Sequence, residues 1–244
     1  MLKTQDIQEF ISQNKERLQF DSWVSIEHRF LFVNNPKAGC TKVKKLLQAL
    51  SGFDVPEDVG AIHGRNGVGF VKSIMDYSLS EQIYLLESPD VCRFSFVRNP
   101  YERTLSAYRS KVVGPKKYGF IQEDLISIRT TDETGLPSFQ EFVDFVFKQD
   151  DTIRDIHWKS QYADLHFDKI NYNYVGRFEF FQRDLHTLLV KLKADEKLFS
   201  SISKVENASA GITMEEAYSV DLRAKINSMY DIDFKTFNYN KILN

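Results

Sequence analysis

The stretch Val33–Lys44 reads VNNPKAGCTKVK and joins an apolar segment to a basic one. The residues that lead into it, RFLFVNN (Arg29–Asn35), are rich in aromatic and branched side chains and stop at Pro36, which predicts a buried strand. A helix is then predicted to begin at Thr41 and to end at Gly52. Its apolar residues follow the spacing of one helical face: Val43, Leu46, Leu47 and Leu50. The stretch is therefore predicted to be the loop of a strand–loop–helix unit.

The same pattern returns later in the chain. VCRFSFV (Val91–Val97) predicts a second buried strand, RNPYERTLSAYRSKV (Arg98–Val112) a helix after it, and NYNYVGRFE (Asn171–Glu179) a third strand. Further helices are predicted over residues 80–87, 138–149, 181–192 and 214–230. Two such units with a crossover imply a P-loop-like parallel sheet flanked by helices, with both loops at the carboxyl ends of the strands, where ligands bind. We predict one α/β domain over residues 1–244, with residues 1–28 as an N-terminal helical extension.

Charge and composition limit the function. A net charge of -2 and a pI near 6.2 argue against a general nucleic-acid or anionic-membrane binder. Cys40 and Cys92 are too few for a disulfide framework and suit a reducing compartment, with packing as their expected role. The N-terminus lacks the apolar core of a signal peptide, and no segment approaches the ~18 apolar residues of a membrane span. These features predict a cytoplasmic protein.

Positive charge is concentrated around the two loops. Residues 29–45 hold five basic side chains and no acid, and residues 98–117 hold six basic side chains and one acid, Glu102. These segments carry 11 of the 32 basic side chains but 1 of the 34 acidic ones. Such a bias predicts an anion site formed by the two loops.

The residue types in each loop suit a phosphate group. In the first loop the helix N-terminus offers backbone N–H groups, Gly39 lets the backbone approach an anion, Thr41 adds a hydroxyl and Lys37 a mobile charge. In the second, Arg98 precedes the helix and Ser106 lies within it, so both could hold another phosphate. Two separate phosphate sites predict a bis-phosphorylated nucleotide.

A nucleoside triphosphatase would use similar electrostatics with a different order of residues. Its loop, G-x-x-x-x-G-K-[ST], places lysine next to the serine or threonine, whereas here Lys37 stands four residues before Thr41. The second strand is followed by Arg98, where a magnesium-binding aspartate would be expected. A P-loop kinase or other nucleotide phosphotransferase is the first alternative. A non-catalytic nucleotide- or glycan-binding domain is the second.

Two motifs resemble a known family. NPKAGCTKVKKLL (Asn35–Leu47) and FVRNPYERTLSAYRSK (Phe96–Lys111) resemble the 5'-phosphosulfate and 3'-phosphate motifs of Golgi-type carbohydrate sulfotransferases and their bacterial relatives. Shorter similar segments extend the resemblance over residues 29–239: Asp155–Gln161, Tyr172–Leu185, Glu206–Ser209 and Tyr230–Tyr239. The resemblance implies the sulfotransferase fold. It also implies metal-independent transfer of sulfonate from 3'-phosphoadenosine 5'-phosphosulfate to a carbohydrate hydroxyl, with 3'-phosphoadenosine 5'-phosphate as product.

The resemblance also implies roles for individual residues, with one set for the 5'-phosphosulfate and another for the 3'-phosphate. The first set is Lys37, Ala38, Gly39, Cys40, Thr41 and Lys42, and the second is Arg98 and Ser106. Lys37 is implied as the electrostatic catalyst, because negative charge grows on the bridging oxygen as the S–O bond breaks. The chain departs from Golgi members in showing no N-terminal membrane anchor. It also has Leu165, His166 and Phe167 where they often carry cysteines. Both departures fit a bacterial, cytoplasmic relative.

A sugar hydroxyl needs a base that accepts its proton near neutral pH, and histidine suits this role. His63 lies in AIHGRNGVG, where the similar uronyl 2-O-sulfotransferase branch carries a base histidine. We favour His63 and place His157, in IHWKSQ, second. A glutamate base, Glu87 or Glu179, stays an alternative.

The expected partners are the nucleotide donor and a carbohydrate acceptor, which could be a polysaccharide, an oligosaccharide or a glycolipid. Neither nucleic acid nor a membrane span is expected. The segment Val112–Ser138, with Tyr118 and Phe120, is predicted to contribute to acceptor recognition. Its Lys116 and Lys117 would suit an acidic polysaccharide.

Overall fold

The computed structural model describes residues 4–64, 70–114, 136–195, 197–198 and 217–242. The chain divides into two compact units, each formed by two segments. The sheet unit consists of Met1–Val97 and Leu165–Asn207, and the helical unit of Arg98–Asp164 and Ala208–Asn244. The prediction of a single domain over the whole chain stays a prediction.

The sheet unit is built on four strands in the order β1-β2-β3-β4. They are β1 (Ser22–Ser25), β2 (Phe30–Val33), β3 (Cys92–Val97) and β4 (Tyr174–Arg177). β2 and β3 are parallel, as are β3 and β4, whereas β1 pairs antiparallel with β2 at the edge. The mostly parallel sheet and its flanking helices confirm the predicted α/β fold class.

Helices account for most of the remaining regular structure. In chain order they are α1 (Thr4–Gln13), α2 (Lys15–Asp21), α3 (Cys40–Leu50), α4 (Val59–Gly64), α5 (Leu79–Glu87), α6 (Pro100–Tyr108), α7 (Phe139–Lys148), α8 (Gln161–Asp164), α9 (Phe181–Lys191), α10 (Val220–Met229) and α11 (Asp231–Thr236). Short 3-10 turns cover Ile74–Asp76 and Phe178–Phe180, and a π-helical turn, Arg109–Val113, follows α6. The helices α1 to α5 and α9 belong to the sheet unit.

The opening helix predicted from the sequence is two helices, α1 and α2. Asn14, between them, has φ -116° and ψ 19°, which interrupts the helical backbone. Its apolar positions are all buried, as their spacing predicts: Ile7, Phe10, Ile11 and Leu18. Gly52, with φ 74°, follows α3, as predicted for a glycine at a helix end.

Aromatic side chains from the strands form the core of the sheet unit. Phe32 and Phe94 stack with ring centroids 5.2 Å apart, and Trp23 is fully buried beside them. The apolar faces of α3 and α9 cover this layer. Cys92 packs against the same core, and burial raises the pKa of its thiol to about 11, which agrees with the packing role expected for it.

The helical unit has its own core, around Tyr101, Phe142 and Trp158. Phe142 and Trp158 meet edge to face at 5.4 Å between ring centroids. Arg103 is also buried, and its guanidinium donates to the carbonyl oxygens of Ile156 and Lys159 at 2.8 and 2.7 Å. This arginine therefore fixes the 156–159 segment to α6.

Candidate active site

The β2–α3 loop (residues 34–42, including the first turn of α3) is anchored at its start by two buried asparagines. Asn34 Nδ2 donates to Asp21 Oδ1 at 2.6 Å. Asn35 Nδ2 donates to the carbonyl oxygen of Phe96, in β3, at 2.8 Å. Because both partners belong to the framework of the sheet unit, the loop begins from a fixed position at the carboxyl end of β2.

Two residues of this loop have left-handed backbone conformations. Lys37 has φ 70°, an uncommon conformation for a residue with a side chain, and such strain is concentrated at functional sites. Gly39, at the N-cap of α3, has φ 86°. A Cβ added to Gly39 would lie 2.6 Å from Phe181 Cε2 and 3.2 Å from Phe178 Cδ2. Glycine is therefore required here for both its conformation and its size.

The donors around this helix N-terminus fit an anionic group. Gly39 offers no side chain to cap α3, and the first turn carries no acid. Thr41 contributes a hydroxyl, while Lys37 and Lys42 are half-buried, as is Cys40. Backbone N–H groups, a hydroxyl and lysines are the groups that bind phosphate and sulfonate oxygens. Ala38 is buried and contributes packing.

The structure brings the predicted base His63 against this loop. His63 Nε2 lies 3.0 Å from Thr41 Oγ1, and its Nδ1 lies 3.1 Å from Lys44 Nζ. Lys44 is 2% exposed, and its Nζ lies 5.3 Å from the ring centroid of Trp23. The contact of Lys44 with His63 could not be predicted from residue type, because a lysine in this basic segment adds only to its general positive charge. The spacing of three residues between Lys44 and Thr41 on one helix could have indicated the shared face.

A second missed contribution comes from the segment between β4 and α9. Phe178 and Phe181 cover Gly39, as described above. Asp184 fixes this segment, because Arg177 donates its backbone N–H to Asp184 Oδ2 at 2.7 Å and the Tyr174 hydroxyl donates to the Asp184 carbonyl oxygen at 2.6 Å. Contacts between positions 139 and 142 residues apart leave no local signal in the sequence, so only the fold identifies them.

In the helical unit, the backbone of Arg98 is held by Gln161. Arg98 N–H donates to Gln161 Oε1 at 2.9 Å, and Gln161 Nε2 donates to the Arg98 carbonyl oxygen at 2.8 Å. The Arg98 guanidinium pairs with Glu102 at 2.8 Å. Ser106, the other residue predicted to bind the 3'-phosphate, is half-buried in the second turn of α6.

Gln161 is itself positioned by Asp233. This buried carboxyl accepts the backbone N–H groups of Gln161 and Tyr162 at 2.9 and 2.8 Å. Burial raises the pKa of Asp233 to about 6, although these hydrogen bonds and the charge of Arg103 oppose the shift. A path of hydrogen bonds thus leads from the core of the helical unit to Arg98.

The second base candidate, His157, forms a pair with Asp155. His157 Nδ1 lies 2.6 Å from Asp155 Oδ1, which also accepts the His157 backbone N–H at 2.8 Å. Burial raises the pKa of Asp155, but the hydrogen bonds and charge of His157 outweigh it, and the net pKa lies below the ordinary value. Of the glutamates, Glu87 ends α5 and Glu179 is exposed before α9.

Two predictions lie outside the described residues. They concern Lys116, Lys117, Tyr118 and Phe120 of the acceptor segment, and the Glu206–Ser209 motif. Within the described ranges, no group of three or more His, Cys, Asp or Glu side chains is arranged to hold a metal ion. In the same part of the chain, no helix has both the length and the apolar character needed to cross a membrane.

Comparison with known proteins identifies relatives along most of the chain. A family model described as "Sulfotransferase family" matches residues 20–240. Carbohydrate sulfotransferase 11 of Mus musculus is 27% identical over 241 residues, covering 88% of this chain and 66% of the relative. Carbohydrate sulfotransferase 10 of Xenopus laevis is 27% identical (89% and 66% covered), and carbohydrate sulfotransferase 8 of Homo sapiens is 28% identical (90% and 55% covered). The chain thus spans just under two thirds of the length of the first two and about half of the third. No solved structure matches it.

These relatives correct one prediction and support another. They are animal carbohydrate sulfotransferases of the Golgi type, which are membrane-anchored, so the prediction of a cytoplasmic protein is wrong. They also give no support to the expected bacterial origin. The family predicted from the two loop motifs is confirmed. The chain belongs to the sulfotransferase family, and the relatives that it matches there are carbohydrate sulfotransferases.

Proposed function

We propose that this protein transfers a sulfonate group from 3'-phosphoadenosine 5'-phosphosulfate to a hydroxyl group of a carbohydrate. The observation that carries the proposal is the β2–α3 loop, where Lys37 and Gly39 adopt left-handed conformations at the N-terminus of a helix whose first turn bears no acid. Family membership supplies the reaction class, and the carbohydrate acceptor follows from the names of the relatives.

The β2–α3 loop is proposed to bind the 5'-phosphosulfate. Backbone N–H groups at the start of α3 and the hydroxyl of Thr41 would donate to its oxygens, and Lys42 would add positive charge. Lys37 would lie at the bridging oxygen between phosphorus and sulfur. Negative charge grows there as the S–O bond breaks, so a lysine at this oxygen stabilises the transition state more than the bound donor.

In the helical unit, Arg98 and Ser106 are proposed to bind the 3'-phosphate. The hydrogen bonds from Gln161 fix the Arg98 backbone and limit the positions of its guanidinium. Its present partner Glu102 is 44% exposed, and an ion pair that involves so exposed a carboxylate contributes only about 1 kcal/mol or less. A phosphate dianion, which can accept two hydrogen bonds from arginine, would therefore displace Glu102.

We assign the base to His157. As the acceptor oxygen forms its bond to sulfur, its proton must leave, and the electron pair of the broken S–O bond stays with 3'-phosphoadenosine 5'-phosphate. An ionised Asp155 that accepts from Nδ1–H leaves the ring lone pair on Nε2, where it can take that proton. His63, the favoured candidate from sequence, has both ring nitrogens within hydrogen-bonding distance of side chains of α3. Its role as the base stays a prediction.

The test is calorimetric binding of 3'-phosphoadenosine 5'-phosphate and of ATP, each with and without magnesium, followed by sulfonate transfer from labelled donor to a glycan array. We expect magnesium-independent binding of the bisphosphate, weak binding of ATP and labelling of sugars. Magnesium-dependent binding of ATP without binding of the bisphosphate would instead indicate a phosphotransferase. Bisphosphate binding with labelling of non-sugar acceptors alone would contradict the carbohydrate assignment.

A further inference from the structure

The side chain of His63 connects two residues of α3 that lie one turn apart. Its Nε2 is 3.0 Å from Thr41 Oγ1, and its Nδ1 is 3.1 Å from Lys44 Nζ. Since α4 supplies the histidine and α3 supplies both partners, the imidazole is held at both nitrogens within the sheet unit. A base for an incoming acceptor needs an available lone pair, so this arrangement suits a different task.

The chemistry of Lys44 fixes the direction of these hydrogen bonds. An ammonium group has three donors and no acceptor, and the Nζ of Lys44 also lies 5.3 Å from the ring centroid of Trp23. Nδ1 of His63 must then accept from Lys44, which leaves the ring proton on Nε2. That proton is donated to Thr41 Oγ1, so the hydroxyl oxygen of Thr41 acts as an acceptor toward His63.

Thr41 keeps its own hydroxyl hydrogen under this arrangement. With one lone pair engaged by His63, the Thr41 O–H is directed to another acceptor. We propose that His63 is a positioning residue of the donor site: held in one tautomer by Lys44, it orients the Thr41 hydroxyl as a donor to the 5'-phosphosulfate. The inference rests on the proposed function, because it assigns that anion to the β2–α3 loop. Successive hydrogen bonds of this kind polarise one another, so the positive charge of Lys44 strengthens the Thr41 donor.

The test measures nucleotide binding without any acceptor present, where an acceptor base has no effect. Calorimetry compares 3'-phosphoadenosine 5'-phosphate with adenosine 3'-phosphate, which lacks the 5'-phosphate. We expect His63→Ala to weaken binding of the bisphosphate about tenfold, as for one lost hydrogen bond to a charged group, and to leave binding of adenosine 3'-phosphate unchanged. His63→Gln should recover much of the loss, because its amide N–H can donate to Thr41.

A double-mutant cycle with Thr41→Val adds a test that does not depend on the His63→Ala variant alone. If His63 acts through Thr41, the double variant binds the bisphosphate no more weakly than Thr41→Val. The control is His186→Ala, a histidine exposed on α9, which should bind like the wild type. Thermal unfolding of each variant checks that the fold is retained.

Three results would overturn the inference. Equal binding of the bisphosphate by His63→Ala and the wild type would show that His63 does not position Thr41. Additive losses in the double variant would show the same. A His63→Gln variant that binds the bisphosphate as weakly as His63→Ala would show that donation to Thr41 is not what His63 contributes. Failure of the wild type to bind the bisphosphate would instead remove the proposed function itself.

Discussion

The two left-handed residues of the β2–α3 loop differ in what they require. At Gly39 the ring of Phe181 leaves no space for a Cβ, so both sterics and backbone conformation select glycine. At Lys37 a side chain is present despite a cost of ~1–2 kcal/mol for this conformation. The fold holds Lys37 in this conformation despite its cost, so the loop fixes the direction in which the lysine side chain leaves the backbone.

Gly39→Ala and Gly52→Ala separate these two effects. Gly52 has φ 74°, and a Cβ there would meet nothing within 4 Å, so its substitution carries only the backbone cost of ~1 kcal/mol. Gly39→Ala adds the overlap with Phe181, and we expect a loss of ~3 kcal/mol in the free energy of unfolding. Urea denaturation measures both values. Equal losses would mean that Phe181 moves aside freely.

Lys37 and Arg98 should affect different steps. Lys37→Ala should lower kcat by ~100-fold or more with a smaller change in donor affinity, because the lysine acts most strongly on the charge of the transition state. Arg98→Ala should mainly weaken binding of the donor. Steady-state kinetics and calorimetry separate the two, with Lys45→Ala, also on α3, as the control. Equal, small losses in both would contradict these roles.

The position of the loop residues could be predicted from a local motif. Residue type and spacing placed Lys37, Gly39 and Thr41 in one loop, where the structure also has them, and their role in binding stays a prediction. The contacts of Lys44 and Phe181 could not be predicted in this way, because Lys44 contacts a histidine 19 residues away and Phe181 makes a ring contact across the sheet unit.

Among the secondary structure elements, those with long apolar patterns were predicted well. The strands β2, β3 and β4 and the helices α3, α7 and α9 all lie where apolar runs or helical spacing placed them. Strand β1 was missed, because its four residues, SWVS, are half polar and gain their strand structure from pairing with β2. Helix α4 was missed because the glycines around it favour irregular structure.

The path from Asp233 through Gln161 to Arg98 gives a prediction for the helical unit. Gln161→Met keeps the side-chain length but removes both hydrogen bonds to the Arg98 backbone. We expect the free energy of unfolding to fall by about 2 kcal/mol. Affinity for 3'-phosphoadenosine 5'-phosphate should fall more than affinity for adenosine 5'-phosphate, which lacks the 3'-phosphate.

Urea denaturation and calorimetry test this prediction, with Gln13→Met as a control, because Gln13 is exposed and bonds to the neighbouring Glu9. An equal loss of affinity for the two nucleotides would show that Gln161 acts on the fold as a whole and has no specific effect on the residue that it holds.

For the whole molecule, the carboxyl of Asp233 links stability to pH. Its pKa is raised from 3.8 to about 6, so between these values the folded state keeps a proton that the unfolded chain releases. Its contribution to the free energy of unfolding is therefore greatest at low pH. It falls as the pH rises through this window, by on the order of 3 kcal/mol.

Asp233→Asn removes this titration. The stability of the wild type minus that of the variant should decrease from pH 4 to pH 6 and then level off, as measured by urea denaturation across this range. Asp221→Asn, at an exposed position on α10, is the control. A difference that stays constant or increases with pH would refute the raised pKa.

Fold class and family could both be predicted at the scale of the whole molecule, since each follows from the order of strands, loops and motifs along the chain. Localisation could not be predicted in this way. Its prediction used charge, cysteine content and hydropathy, and these properties depend on how a chain folds and do not specify the compartment where its relatives act. The comparison with relatives supplied that correction.

The contact between Gly39 and Phe181 has a consequence for evolution. The ring of Phe181 also packs against Phe96 in β3, at 5.1 Å between centroids, so it cannot withdraw without disturbing the strand below. Substitutions at positions 39 and 181 should therefore occur together. Among descendants of a common ancestor, a side chain at position 39 should occur only where position 181 carries a smaller residue than phenylalanine.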